Sequence, residues 1–143
     1  MNLERADHTN NMFEIKKVES ADQVANFILD SVSSNLDLGK KVLLFVTGGS
    51  SIAVGVKISE IIKSKNLNNL ENLTVMLTDE RYGPVSHKDS NYFNLLEKGF
   101  NISGAKVIPV LDGRSFEDTV SKFNSNQAKE FAEANYKIGL FGV

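Results

Sequence analysis

The sequence has no cysteine, no tryptophan and only two prolines among its 143 residues. Without cysteine there is neither a disulfide nor a thiolate metal site, and the redox compartment stays open. Apolar runs such as Val42–Val46 are far too short to cross a bilayer. The opening residues, Met1 to Asn11, lack the apolar core of a signal peptide. We read residues 1–12 as a polar tail and take a cytoplasmic location by default. The formal net charge is only -2, and no predicted helix carries a basic stripe, so nucleic acid is not an expected partner.

What remains is ordinary for a globular domain, with 41% hydrophobic and 24% charged residues. A chain of this length buries roughly 70% of the surface its unfolded form exposes. Strand-like and helix-like runs alternate along it. Phe13–Val18 alternates as a half-exposed edge strand does. Ser20 and Gln23 stand at capping-box spacing before Val24, Phe27, Ile28, Val32 and Leu36, with Gly39 as the stop. Val42–Val46 is continuously apolar, as in a strand buried on both faces of a parallel sheet. Val54, Ile58, Ile61 and Ile62 mark a second helix, and Leu73–Leu77 a second inner strand. A short helix follows with Phe93, Leu96 and Phe100. Lys106–Val110 is a third inner strand in which Pro109 marks the end or an edge. Ser115 and Asp118 cap a helix bearing Val120, Phe123 and Phe131, and Ile138–Val143 reads as a fourth inner strand.

Strands separated by about one helix each give βαβ units and a parallel sheet, hence one α/β domain over residues 13–143. An inner strand at Ile138–Val143 calls for a further loop and helix to cover the sheet. The expectation is therefore an exposed apolar surface there, and with it self-association or additional sequence.

Chemistry concentrates in two loops. Thr47-Gly48-Gly49-Ser50-Ser51 joins a strand to a helix, where exposed amides and hydroxyls can hold a phosphate. It is neither a dinucleotide fingerprint nor a Walker loop. A plain glycine turn with a serine N-cap fits the same residues equally well. The second loop, Thr78 to Pro84 with His87 to Tyr92 behind it, follows an apolar strand, and strand ends of open α/β sheets bind ligands. Asp79 is the carboxylate placed to act as a base or to orient a ligand hydroxyl. The alternative is a turn cap at Asp79 beside a structural Glu80–Arg81 ion pair. His87 has no partner at metal-ligand spacing, so neither metal nor cofactor is expected. Asp89-Ser90-Asn91 caps the next helix, Tyr92 packs, and Arg114 is either an anion contact or a turn arginine.

Taken together, Thr47 to Ser51, Thr78 to Pro84 and His87 to Tyr92 resemble 6-phosphogluconolactonase, within the glucosamine-6-phosphate isomerase/deaminase superfamily. The specific element is Asp-Glu-Arg-x-x-Pro-x-x-His-x-Asp-Ser-Asn-Tyr, present as Asp79 to Tyr92. The resemblance implies a Rossmann-like α/β/α sandwich that hydrolyses 6-phosphoglucono-1,5-lactone to 6-phosphogluconate in the pentose phosphate pathway without a metal. It implies Gly48, Gly49, Ser50 and Ser51 in the sugar-phosphate pocket, and Asp79 and Arg81 on the catalytic face. Many relatives have Thr-Pro where this chain has Ser51-Ile52. The family's Gly-x-Asp-Gly-His segment, source of its general base, belongs after the last strand. The sequence therefore reads as the N-terminal part of a lactonase-like protein, inactive as it stands. Two rivals remain, a glucosamine-6-phosphate deaminase/isomerase, whose relatives carry Asp-Glu-Tyr, and a non-catalytic sugar-phosphate binding module.

Overall fold

The computed structural model describes residues 2–5 and 13–142. His8 and most of the expected tail, residues 6–12, lie outside the described residues. Four residues of that tail are strand: β1 (Asn2–Arg5) pairs antiparallel with β2 (Glu14–Lys17). The alternation at Phe13–Val18 thus builds a separate two-stranded ribbon and not an edge of the main sheet.

The main sheet holds β3 (Val42–Val46), β4 (Leu73–Leu77), β5 (Lys106–Ile108) and β6 (Tyr136–Gly139) in the order β5-β4-β3-β6. All three pairings are parallel. Parallel neighbours need crossovers, and helices provide them. The crossovers are α2 (Ile52–Lys65), α3 (Asn91–Glu97) and α4 (Phe116–Glu133), with α1 (Ala21–Asp37) preceding β3. The caps read from sequence form as expected. Ser20, Ser90 and Ser115 each accept the N–H of the third residue on, and Gly39 follows α1 with a left-handed φ of 72°.

Alternation along the strands divides the interior in two. Val42, Leu44 and Val46 with Leu73, Val75 and Leu77 face α1, α2 and α3. Leu43, Phe45 and Met76 face the opposite way, toward Phe123 of α4 and Ile108. The result is a Rossmann-like three-layer α/β/α arrangement, thick on one face and thin on the other.

Three expectations change in detail. Phe27, counted toward the helical core, lies on the rim of α1, where the Lys16 ammonium stands 4.6 Å from its ring centroid. Val120 and Phe131 of α4 are largely exposed, because one helix alone spans the thin face and its apolar stripe is wider than the sheet beneath it. The last strand, read as an inner one, occupies an edge of the described sheet. Beside it Phe141 is 69% exposed and its ring folds back over Gly139, where a Cβ would lie 2.5 Å from Cε2.

Candidate functional site

The chain leaves β3 toward α2 and β4 on one side, while β6 is added on the other side of β3. This reversal is a topological switch point, and the crevice beyond the carboxyl ends of such strands is where open α/β sheets bind ligands. Register brings the exits level, since Val46 pairs with Leu77 and the Thr78 N–H donates to the Val46 carbonyl at 2.9 Å. The exit of β6 arrives beside them, with the Cβ position of Gly142 3.8 Å from Ser51 Oγ.

After β3, Thr47 and Gly48 are buried and Gly49 and Ser50 are exposed. The two glycines serve different ends. Gly48 has φ -85° and ψ -159°, a conformation open to any residue. Its missing side chain makes room for Asn91, whose Oδ1 would lie 2.2 Å from a Cβ there. Gly49 faces open space but adopts φ 63°, the left-handed region that favours glycine. Gly49–Ser51 then form a short 3-10 turn that runs directly into α2, and neither start carries a side-chain cap. Uncapped first-turn N–H groups and the positive end of the helix dipole thus lie at the exit of β3.

After β4, two adjacent carboxylates take opposite roles. Asp79 is exposed, and among the described residues its side chain has one hydrogen bond, from Thr78 Oγ1 at 3.2 Å. Glu80 turns inward and accepts four hydrogen bonds. Oε1 takes the N–H groups of Arg81 (2.7 Å) and Asn91 (2.6 Å), and Oε2 takes Ser90 Oγ (2.9 Å) and the Tyr92 N–H (3.2 Å). It thereby satisfies first-turn donors of α3 and places a negative charge at that helix's N-terminus. The Glu80–Arg81 ion pair weighed from sequence does not form. The Arg81 guanidinium is exposed and pairs with no described acid.

Asn91 joins the two loops. Its Nδ2 donates to the Asp79 carbonyl at 3.1 Å while its side chain fills the space against Gly48. His87 braces the same segment from outside. Its Nδ1 accepts the Asp89 N–H at 3.3 Å, which leaves Nε2 to donate to the Arg81 carbonyl at 2.9 Å. The ring lies against Gly83, where a Cβ would come within 2.9 Å of it. Neither the Gly48–Asn91 fit nor the inward turn of Glu80 has a local sequence signal, because each depends on residues brought together by the crossover.

The remaining residues resolve plainly. Arg114 Nε bonds Asp112 Oδ2 at 2.9 Å, so it is a turn arginine. Lys122 and Arg114 together hold the Asp112 carboxyl below its ordinary range, with the Lys122 hydrogen bond the larger cause. Tyr92 packs against the main core, and burial pushes its phenol up. Among the described residues no group of three or more His, Asp or Glu side chains is placed to hold a metal ion, and no helix is long and apolar enough to cross a membrane.

Residues 16–141 match the family model described as glucosamine-6-phosphate isomerases/6-phosphogluconolactonase. The chain belongs to this family. Solved structures agree in fold. A 6-phosphogluconolactonase from Thermotoga maritima is 22% identical with a TM-score of 0.64, covering 78% of this chain and 52% of its own. A putative 6-phosphogluconolactonase from Neisseria gonorrhoeae is 28% identical with a TM-score of 0.54, covering 71% and 46%. A monomeric glucosamine-6-phosphate deaminase is 14% identical with a TM-score of 0.61, covering 82% and 51%. No curated protein matches the chain. The chain thus spans about half the length of these solved members of the family.

Proposed function

We propose that the crevice beyond β3, β4 and β6 is a sugar-phosphate site of the 6-phosphogluconolactonase kind, serving hydrolysis of 6-phosphoglucono-1,5-lactone to 6-phosphogluconate. The observation that carries this is the bridge through Asn91, which fixes the Gly48–Ser51 turn and the Asp79 carbonyl in one unit. In this reading the phosphate lies on the uncapped amides of Gly49, Ser50 and Ser51 and on the two serine hydroxyls. Asp79 faces the sugar as an acceptor for a ligand hydroxyl. The Arg81 guanidinium, which pairs with no described acid, supplies the cation that charge developing on the lactone oxygen requires.

The 143-residue chain by itself binds without turnover. Among the described residues the one histidine near this face, His87, is committed to Arg81 and Asp89 and cannot serve water as a base. Titration with 6-phosphogluconate is expected to raise Tm progressively, since a ligand that binds only the folded state stabilises it. Arg81→Ala should remove most of the rise while leaving the unliganded Tm within about 2 °C, as for a surface change. A larger rise with glucosamine 6-phosphate would transfer the assignment to the deaminase branch. No rise with either ligand would reject the site. Lactone hydrolysis above the spontaneous rate, abolished by Asp79→Asn, would show that the chain does carry a working base.

Association is a second expected property of the isolated chain. The outer edge of β6 offers unpaired backbone groups, with exposed Phe141 beside it, and such edges pair with further strands. Sedimentation velocity should show dimers that dissociate when Phe141→Asp is introduced. A monomer at all concentrations would contradict it.

A further inference from the structure

We propose that a second site, behind the Asp79 segment, binds a neutral single-ring aromatic alcohol. It is a cleft of about 260 Å³ between the β4 exit and α4, lined by Thr78, Asp79, Tyr82, Leu111, Thr119 and Phe123. The proposal does not rest on the sugar-phosphate reading, although Asp79 borders this cleft as well.

Three observations define the ligand. The first is size and polarity. Apolar cavities of about 150 Å³ admit benzene, so this cleft has room for one substituted ring. Leu111 and Phe123 supply an apolar lining. Tyr82 and Phe116 meet edge-to-face at 5.3 Å and 81°, and both remain about half exposed at the mouth. A ligand ring entering there can make offset or edge-to-face contacts of the same kind with them.

The second observation is charge. Two carboxylates, Asp79 and Glu80, border the cleft, and among the described residues no Lys or Arg lines it. An anion, including any phosphorylated sugar, is disfavoured there. Asp79 can instead accept from a hydroxyl at the rim.

The third is Thr119. This residue is 5% exposed, and its Oγ1 is the buried side-chain polar atom that has no hydrogen-bond partner among the described residues. A helical threonine ordinarily returns its hydroxyl to the preceding turn, and nearly all buried polar groups are paired. An unpaired hydroxyl beside the apolar side chains of Leu111 and Phe123 selects a ligand carrying one hydroxyl of its own.

The test uses the 143-residue chain, phenol as the probe and toluene as its apolar counterpart, followed by methyl NMR. Phenol should shift the Val110, Leu111 and Val120 methyl resonances saturably in the millimolar range, and toluene should shift the same set. Thr119→Val keeps the shape and removes the hydroxyl, and it is expected to fold at least as well as the parent. It should weaken phenol binding roughly fivefold and leave toluene unchanged, the signature of one hydrogen bond. Val120→Phe, at the partly exposed mouth, should abolish both. Shifts scattered over the surface, no saturation, or equal effects of Thr119→Val on the two probes would overturn the assignment.

Discussion

Gly48→Ala is expected to destabilise the chain by about 2 kcal/mol and to abolish the response to 6-phosphogluconate. The conformation of Gly48 suits alanine, so the whole effect is steric. The new methyl would sit 2.2 Å from Asn91 Oδ1 and 2.5 Å from Cγ. Asn91 cannot move aside freely, because its N–H is held by Glu80 and its Nδ2 by the Asp79 carbonyl. Overpacking of this kind typically costs about 1–3 kcal/mol. Gly49→Ala provides the contrast. It meets no atom but must adopt φ 63°, which costs about 1–2 kcal/mol through the backbone alone. A double mutant separates the two mechanisms. Asn91→Ala should recover much of the stability lost in Gly48→Ala and none of that lost in Gly49→Ala, a coupling that urea denaturation of the four variants measures. Ligand response should stay absent in the recovered double mutant, because the bridge to Asp79 is gone. Additive losses for Gly48 and Asn91 would mean that the two loops are not mechanically joined.

This fit also explains how much of the molecule was legible in its sequence. Signals that act within one turn or one strand could be read directly. The continuous run Val42–Val46 announces a strand covered on both faces, and Ser20, Ser90 and Ser115 announce helix starts. The two loops of the candidate site could be located for the same reason, since each follows a strand that could be recognised. Relations across the fold were not. Whether Glu80 pairs with Arg81 or turns inward depends on where α3 begins in space, and the sequence shows only that the two are neighbours. The rank of β6 was not legible, because hydrophobicity reports burial and not place in the sheet. Leu140 is buried, yet the strand before it lies at an edge of the described sheet. On α4 the apolar spacing promised a covered face, but coverage depends on what else packs there, and Thr119 is buried where Val120 is not.

The second large effect is expected at Glu80, and its value lies in comparison with Asp79 next to it. Glu80→Ala removes the acceptor of four hydrogen bonds and leaves the Asn91 N–H and the Ser90 hydroxyl proton without an acceptor in buried surroundings. Hydrogen bonds to charged groups contribute about 1.5–3 kcal/mol each, and they are not independent here. A loss of about 3 kcal/mol is therefore expected, with α3 and the Asp79 segment loosened together. Asp79→Asn should change stability by less than about 0.5 kcal/mol, since the carboxylate is exposed and holds one weak hydrogen bond. Its effect should fall on ligand response instead. Glu80→Gln distinguishes loss of charge from loss of geometry. The amide oxygen can still accept, but its NH2 would face a donor, so an intermediate loss is expected. Urea midpoints followed by circular dichroism order the three variants. If Glu80→Ala were as mild as Asp79→Asn, the inward carboxylate would not be what shapes the site. If Asp79→Asn were the more damaging to folding, the exposed acid would be structural and the assignment of chemistry to it would fall. The expected order gives the two neighbours separate work, with Glu80 holding the loop and Asp79 left free to meet a ligand.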